Sequence, residues 1–555
     1  MTASLYRLVR LGSAGFLLTA LTACGGGGSE SSAGAGGGVG VVVPPAAGCV
    51  STATVVCTQS GQVQGAIEGN YRFFRGIPFA APPVGVLRWR APAPPAKWQG
   101  VRSATTFGNR CPQVDRSGAP VGDEDCLTLN VYAVNPPASA KQPVIVIIHG
   151  GGNRAGSAQD APWNDVTPLA GHGAIVVTVQ YRLGLLGWLV NPLLTAESAQ
   201  ATSGNYTLMD LIAALQWVRD NIAEFGGDPK RVLIVGHSAG SLNVQALLAS
   251  PAADGLFSAA VMESGLLRGG LIGTTIDNAY RWYADVPAAV GCDTATDVLA
   301  CLRAAPASTL VQSGPNSADT GWVNIDPVVL PEDPATKLKR LGSPVPLIIG
   351  SNSDEEAYDN TVFAPALDAS GYAAAIHAQF DALAPGAGDT ILSLYPATDF
   401  TNPNYALDNV ETDFWVTRDT RNFARYVSGA QRPPVWRYLF THVYENAAPQ
   451  DAPLSASRAF HGAETFFVTG NFRSLATSVT YVPSNAELAL SNAMMDYWVT
   501  LARSGDPNGV GAVPWLPYDA ASENIQQLDD NIATLDGGYR NAQCDFLSTL
   551  ITRGF

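Results

Sequence analysis

A serine within a glycine-rich pentapeptide is the residue whose surroundings most clearly suggest chemistry. The segment Gly236-His237-Ser238-Ala239-Gly240 follows an apolar run at residues 231–235, typical of a strand, and precedes a helical pattern over residues 239–249. A G-x-S-x-G sequence between a strand and a helix forms a sharp turn that exposes the serine hydroxyl. Small residues are needed there because the helix packs close to the strand. In a chain with 56 glycines the pentapeptide alone is weak evidence, but its position predicts that Ser238 is a nucleophile.

The base that would activate Ser238 is predicted to come from a distant part of the chain. A serine hydroxyl is a poor nucleophile until a base accepts its proton. The adjacent His237 is rejected, because its side chain leaves the turn in a different direction from that of Ser238. In turns of this kind the chain order is serine, acid and histidine, and His461 lies in a polar, loop-like interruption late in the chain that fits the base. The acid should lie between them, just past a strand end, where the candidates are Asp354, Glu355 and Glu356.

A second glycine-rich segment, His149-Gly150-Gly151-Gly152, follows the buried run at residues 143–148. An oxyanion hole needs free backbone N–H groups aimed at one point, and glycines let the backbone approach a substrate. The N–H groups of Gly151, Gly152 and Ala239 are therefore predicted to form the oxyanion hole. The rival interpretation is a phosphate-binding loop, which is disfavoured because no Lys-Ser/Thr pair follows.

The middle of the chain alternates short apolar runs with helical patterns, which would position these residues. Strands are predicted at residues 143–148, 174–179, 231–235, 261–262 and 346–349, and helices at residues 208–225 and 239–249. This alternation predicts an α/β fold with a mostly parallel sheet covered by helices. Gly226-Gly227 is predicted to stop the first helix and Asp228-Pro229 to form a turn. No linker-like break appears after residue 49, so residues 49–555 are interpreted as one large domain.

The first 48 residues have a different composition. Arg7 and Arg10 precede an apolar run at residues 11–23 that is too short to span a bilayer, which predicts a secretion signal over residues 1–23. Residues 21–24 resemble a bacterial lipobox, which implies cleavage before Cys24 and a diacylglycerol on its sulfur; the alternative is a plain secreted protein. The Gly-, Ser- and Ala-rich residues 24–48 are interpreted as a flexible tether. We expect an exported protein. It is either anchored by lipid to the outer membrane of the cell envelope or secreted.

The charge and the cysteines fit an exported protein. The formal net charge of −15 argues against nucleic acid or an anionic membrane surface as the main partner. Close pairs of cysteines are expected to form disulfides in an oxidising compartment, namely Cys49–Cys57, Cys111–Cys126 and Cys292–Cys301. Cys544 is then left over, unless it competes for Cys49 or Cys57. The absence of a C-x-x-C pair argues against zinc.

Several longer motifs occur in order along the chain. They are residues 74–89 (FRGIPFAAPPVGVLRW), 124–131 (EDCLTLNV), 181–184 (YRLG), 204–205 with Asp210, 225–229 (FGGDP), 257–265 and 504–508 (SGDPN). With these motifs the chain resembles the type-B carboxylesterase/lipase family, the α/β-hydrolases that include the cholinesterases, from about residue 60 to residue 520. The resemblance implies an α/β-hydrolase fold, a large and mostly parallel central sheet flanked by helices, with insertions.

The resemblance also assigns roles to individual residues. It implies that Ser238 is the nucleophile, His461 the base and Glu355 the orienting acid. It also implies that Gly151, Gly152 and Ala239 form the oxyanion hole. It further implies the disulfides Cys111–Cys126 and Cys292–Cys301 and the structural ion pairs Arg88–Glu124 and Arg182–Asp210. The implied chemistry is hydrolysis of a small-molecule carboxylic ester through an acyl-enzyme, with no metal or cofactor. Two alternatives stay open, a non-catalytic recognition protein with this fold and an acyltransferase using the same site.

The chain departs from the family pattern at three positions near the site. His237 stands where the family usually has Glu, Asn153 where it often has an aromatic residue, and Glu356 where the acid motif usually ends in Gly. The short Cys111–Cys126 loop lacks the tryptophan with which cholinesterases bind choline, which disfavours a cholinesterase. Ser264, another family residue, is expected to support the site through a hydrogen bond rather than to react.

Overall fold

The structure is a computed structural model that describes residues 50–137, 140–266, 275–313, 323–357, 366–429, 432–445, 458–472 and 481–551. The predicted signal peptide, the tether that starts at Cys24, and Cys49 all lie outside the described residues. Within those residues, no helix combines the length and the apolar character that crossing a bilayer requires.

Most strands belong to one large sheet. In chain order the strands are β1 (Val55–Thr58), β2 (Gly61–Gln64), β3 (Ala66–Glu68), β4 (Tyr71–Pro78), β5 (Val101–Ser103), β6 (Gln113–Val114), β7 (Pro120–Val121), β8 (Thr128–Val134), β9 (Gln142–Ile148), β10 (Ile175–Val179), β11 (Gly227–His237), β12 (Ala259–Glu263), β13 (Leu347–Asn352), β14 (Val435–Phe440), β15 (Ile525–Leu528) and β16 (Ala533–Leu535). The large sheet has eleven strands in the order β16-β15-β14-β13-β12-β11-β9-β10-β8-β4-β3. Neighbours from β15 to β10 run parallel, whereas the pairs at the two edges are antiparallel.

The helices lie between these strands in sequence. In chain order they are α1 (Thr167–Gly171), α2 (Gly184–Trp188), α3 (Pro192–Glu197), α4 (Tyr206–Asn221), α5 (Ala239–Ala249), α6 (Ile276–Trp282), α7 (Val286–Ala289), α8 (Val298–Ala304), α9 (Ala307–Ser313), α10 (Pro334–Leu341), α11 (Ala369–Phe380), α12 (Ala387–Leu394), α13 (Pro403–Thr412), α14 (Arg418–Val427), α15 (Ala463–Thr469), α16 (Asn485–Ser504) and α17 (Asn541–Thr549). A π-helical turn, Asp413–Thr417, joins α13 to α14.

Strand β9 separates two hydrophobic cores. Val144 and Val146 pack into a core that includes Val244 of α5, whereas Ile145 packs into a second core that includes Trp498 of α16. Successive side chains of a strand point to opposite faces, so a strand covered on both faces is apolar throughout. The prediction of a buried, mostly parallel sheet covered by helices is confirmed.

Two local predictions differ from the structure. The helix predicted over residues 208–225 ends at Asn221 and tightens into a 3₁₀ turn, Ile222–Phe225. Asn221 Nδ2 donates to the carbonyl of Trp217 at 2.9 Å, and such local side-chain bonds compete with the helical ladder. The turn predicted at Asp228-Pro229 is wrong, because these residues belong to β11, where an irregularity in the pairing with β9 accommodates the proline.

The cross-links expected within the described part of the chain are present. Cys111–Cys126 and Cys292–Cys301 are disulfides, and Cys544 is a buried free thiol. Cys57 is disulfide-bonded, but its predicted partner, Cys49, lies outside the described residues. Both expected ion pairs form: Arg88 Nε lies 2.8 Å from Glu124 Oε1, and Arg182 Nη2 lies 2.7 Å from Asp210 Oδ1.

Candidate active site

Ser238 occupies a strained turn between β11 and α5. Its φ of 56° and ψ of −123° are rare for a residue with a side chain. Hydrogen bonds hold this conformation: Ser238 N–H donates to Glu263 O at 2.8 Å, and Ser241 N–H donates to Ser238 O at 2.9 Å. Strain of this kind persists only when the surrounding structure fixes it, and it is frequent at functional sites.

The glycines of the pentapeptide are required by close packing. A Cβ at Gly236 would overlap the carbonyl oxygen of Gly240, and a Cβ at Gly240 would overlap the carbonyl oxygen of Ile148 at the end of β9. The start of α5 can therefore lie against β9 only because these positions lack side chains. The strand-turn-helix predicted from the pentapeptide is confirmed, and α5 has the predicted bounds.

His461 is joined to Glu355. His461 Nδ1 lies 2.7 Å from Glu355 Oε2, and the His461 backbone N–H donates to Glu355 O at 3.2 Å. Glu355 is buried, and its Oε1 accepts the backbone N–H of Asn352 at 2.8 Å. Of the other two carboxylates that the sequence offered, Asp354 pairs with Arg458, and the charge of Glu356 contributes to raising the pKa of His461.

The environment of His461 favours its protonated form. Burial alone would lower the pKa of the imidazole, but the hydrogen bond and charge of Glu355, with a further contribution from Glu464, raise it to about 9. The His461 side chain is 38% exposed. A histidine that is oriented through Nδ1 and partly exposed can exchange protons with a bound reactant.

His237 lies beside His461 and takes no part in that hydrogen bond. The two ring centroids are 4.7 Å apart. Burial, and secondly the charge of His461, lower the pKa of His237 well below its usual range. Its Nε2 has no hydrogen-bond partner among the described residues, although Glu464 Oε1 lies 3.6 Å away. His237 is therefore a neutral ring that packs against His461.

Glu464 is a buried acid of the candidate site that the sequence interpretation missed. It is fully buried at the start of α15, where its Oε1 accepts the Ser264 hydroxyl at 2.9 Å and its Oε2 accepts Asn352 Nδ2 at 2.5 Å. Burial first, and then the charge of Glu355, raise the pKa of Glu464 to about 7. The available signal was an acid three residues after His461, next to the apolar residues 466–468. Ser264 makes the expected hydrogen bond, and its partner is Glu464.

The triple-glycine loop stands next to the nucleophile. A Cβ at Gly150 would lie 3.0 Å from Ser238 Cβ, so the loop and the turn are in contact. Gly151 and Gly152 have φ of 115° and 63°, and the N–H of Ala155 closes the loop onto Gly151 O at 3.0 Å. Within the described residues, the backbone N–H groups of Gly151, Gly152 and Ala239 donate to no carbonyl. They are available to a ligand at the edge of the sheet where Ser238 lies.

Comparison with known proteins identifies the family of this chain. Residues 52–547 match the Carboxylesterase family. The chain belongs to the carboxylesterase family. It is 34% identical over 506 residues to the para-nitrobenzyl esterase of Bacillus subtilis (strain 168), covering 87% of this chain and 96% of that protein. It is 33% identical over 497 residues to the fumonisin B1 esterase of Sphingopyxis macrogoltabida, covering 87% of each chain.

Solved structures agree with the family match. A PNB esterase structure superposes with a TM-score of 0.72 at 31% identity, covering 89% of this chain and 100% of that one. The fold is therefore the α/β-hydrolase fold that the motifs implied, and the protein is a carboxylic-ester hydrolase. Among the described residues, the group of histidine and acidic side chains with metal-ligand spacing lies outside this site, at His442, Asp529 and Asp530.

Proposed function

We propose that Ser238, His461 and Glu355 form a catalytic triad that cleaves small-molecule carboxylic esters through an acyl-enzyme. The observation that carries this proposal is the 2.7 Å hydrogen bond between His461 and Glu355. It occurs where the His461 ring packs against His237, the residue before Ser238. No metal or cofactor is required by this chemistry.

Each proposed step moves a proton through His461. Ser238 Oγ attacks the ester carbonyl carbon while His461 accepts its proton, and the N–H groups of Gly151, Gly152 and Ala239 stabilise the oxyanion. Collapse of the tetrahedral intermediate breaks the bond to the alcohol, which leaves with the proton from His461. Water then attacks the acyl-enzyme by the same route and releases the acid. Glu355 keeps the ring oriented and stabilises the imidazolium.

The Ser238→Ala variant tests the nucleophile. We expect hydrolysis of p-nitrophenyl esters to fall by several orders of magnitude without loss of folding. Ser258→Ala, which removes a hydroxyl bonded to Val232 O at 3.3 Å on the same sheet, is the matched control and should keep full activity. An organophosphonate should label the wild type at Ser238, located by peptide mass. Retained hydrolysis in Ser238→Ala would contradict the proposal, and acyl transfer to added alcohols in place of hydrolysis would indicate an acyltransferase.

For the ester itself, the names of the relatives suggest which substrates to test. One relative is named for para-nitrobenzyl esters and another for fumonisin B1. We propose a small-molecule carboxylic ester as the substrate. A panel of p-nitrophenyl esters of increasing acyl length, set beside para-nitrobenzyl and bulky tertiary-alcohol esters, would define the acyl and alcohol preferences through kcat/KM.

Beyond the active site, we propose that the protein is exported and anchored by lipid in the cell envelope, with residues 49–555 as a single domain. The support is the signal-like segment at residues 1–23, the lipobox-like residues 21–24 and the glycine-rich residues 24–48. Replacing Cys24 by Ser should move the enzyme from the membrane fraction to the soluble fraction, with unchanged kcat/KM. Recovery of both the wild type and the variant in the soluble fraction would indicate plain secretion.

A further inference from the structure

A cluster of potential metal ligands lies at the carboxyl ends of β14 and β15. These strands pair in parallel, with Phe440 opposite Leu528, so the residues that follow them meet at one edge of the sheet. His442 Nδ1 lies 3.3 Å from Asp529 Oδ1 and 3.0 Å from Asp530 Oδ1. The three ligand atoms all lie within 4.8 Å of one another. The proposed reaction uses none of these residues.

A buried glutamate contacts the nitrogen of His442 that faces away from the two aspartates. His442 Nε2 lies 3.2 Å from Glu487 Oε1. Glu487 is fully buried and accepts the Tyr481 hydroxyl at 2.9 Å and the Ser484 backbone N–H at 2.7 Å. A carboxylate on the far nitrogen is the arrangement that fixes the tautomer of metal-binding histidines. With Nε2–H donating to Glu487, a neutral ring presents the Nδ1 lone pair to Asp529 and Asp530.

The local charge balance favours a cation between these groups. Three carboxylates, those of Glu487, Asp529 and Asp530, surround one imidazole. In the described part of the chain, His442 is the only basic side chain paired with them. A lone pair that faces two carboxylates is repelled unless positive charge lies between them, and that charge is either a proton on Nδ1 or a metal ion.

The two distances from His442 Nδ1 fit a first-row divalent metal ion, and the two aspartate oxygens lie within 4.8 Å of each other. For metal–ligand bonds of about 2.0–2.2 Å, adjacent ligand atoms around a tetrahedral or octahedral ion lie roughly 3.0–3.5 Å apart. Both Nδ1–oxygen distances fall in that range. Asp529 is also oriented for this role, because its Oδ2 accepts the Thr441 hydroxyl at 2.6 Å. The side chains of Asp529 and Asp530 are 33% and 41% exposed, so an ion can enter and water can complete its coordination.

We propose that His442, Asp529 and Asp530 bind a divalent transition-metal ion of the Zn²⁺ class. One imidazole and two carboxylates suit such an ion better than Ca²⁺ or Mg²⁺, which prefer oxygen ligands alone. The sequence argument against zinc concerned cysteine pairs, and this ligand set contains no cysteine.

The proposed ion has a structural role. It ties the ends of β14 and β15 to the start of α16, where Glu487 closes a capping box with Ser484. Tyr444, two residues after His442, donates its hydroxyl to Ala463 O at 2.8 Å, close to His461. The bound ion therefore stabilises the residues around His442 and Tyr444 that pack against the segment carrying His461. We expect it to leave kcat nearly unchanged.

Zinc titration of the untagged, metal-stripped full chain tests this site. By calorimetry we expect one Zn²⁺ per chain in the wild type, together with a rise in Tm as the zinc concentration increases. Asp530→Asn should weaken zinc binding by about tenfold or more and remove most of the rise in Tm. His442→Gln, which keeps a donor for Glu487 but removes Nδ1, should abolish binding.

Asp389→Asn is the matched control. Asp389 also lies near a histidine, 3.7 Å from His377 Nε2, but Asp381 faces the other nitrogen of that ring at 2.8 Å, so these groups cannot converge on one ion. This variant should bind zinc as the wild type does. Absence of one-to-one binding in the wild type, or equal affinity in Asp530→Asn, would overturn the proposal and leave a proton on Nδ1 as the bridging charge.

Discussion

At the scale of single residues, two buried glutamates act on the proposed base in different ways. Glu355 accepts the hydrogen bond from His461 Nδ1, whereas Glu464 is held by Ser264 and Asn352 and acts on His461 through its charge. Although burial opposes protonation, these carboxylates raise the pKa of His461 to about 9. The base works only when neutral, so activity is lost as the pH falls through that pKa. The acid limb of kcat/KM should therefore lie above the ordinary histidine pKa of about 6.5.

Glu464→Gln should move that acid limb to lower pH. The variant removes a negative charge that favours the imidazolium but leaves the bond to Glu355 intact, so kcat on the alkaline plateau should stay within about tenfold of the wild type. The measurement is the pH profile of kcat/KM. Glu332→Gln removes a carboxylate paired with Arg340 at the surface, and it should leave the limb in place. An unmoved limb in Glu464→Gln would show that Glu464 does not influence the base.

The sequence predicted the proposed reacting residues but not the buried hydrogen bonds around them. Ser238 stands in a local pattern, and His461 and Glu355 follow from chain order and from the family motifs. Glu464 has no such pattern, because its role depends on contacts with Ser264 and Asn352, which lie 200 and 112 residues earlier. The neighbour relation between His237 and His461 likewise exists only after the sheet has formed.

At the scale of elements, the junction of β9, β11 and α5 leaves no room for a side chain at Gly240. Gly240→Ala would drive a Cβ into the carbonyl of Ile148. We expect a loss of about 1–3 kcal/mol in the free energy of unfolding, with a lower kcat because Ser238 is displaced. Chemical denaturation and ester kinetics would measure the two effects.

Gly371→Ala is the matched control for that substitution. Gly371 lies in α11, where an added Cβ would come no closer than 3.3 Å to a flexible leucine side chain, and alanine is the better helix former. It should be neutral or stabilising. Equal stability of the two variants would contradict the close packing inferred at the turn.

Element boundaries were predictable where one property dominated. α5 begins at a sharp turn after a strand, and its bounds match the prediction. The short strands β3, β15 and β16, at or next to the edges of the sheet, were not predicted, because they are only three or four residues long and lack a continuous apolar run. Their pairing is determined by the neighbouring strands rather than by their own residues.

At the scale of the whole molecule, a buried ion pair joins distant parts of the chain. Arg182 Nη2 lies 2.7 Å from Asp210 Oδ1, and Arg182 Nη1 donates to Arg90 O at 2.9 Å. Asp210→Asn would leave the arginine charge buried and uncompensated, which we expect to lower the free energy of unfolding by about 3–5 kcal/mol.

The exposed pair Arg219–Asp220 provides the comparison. Arg219 is 43% exposed, so Asp220→Asn should cost no more than about 1 kcal/mol. Thermal and denaturant unfolding would measure both variants, and the folded Asp210→Asn protein should keep its kcat/KM. A small cost for Asp210→Asn would show that the pair contributes little to the stability of the fold.

The left-handed backbone at Ser238 also bears on how this chain would change if its activity were no longer under selection. A φ of 56° is costly for serine and nearly free for glycine. Replacing Ser238 by Gly would abolish the nucleophile and at the same time relieve the strain, so the inactive protein would be the more stable one. In a lineage that no longer needs catalysis, drift at this position should favour glycine, whereas a retained serine at this φ is a sign of continued selection for reaction.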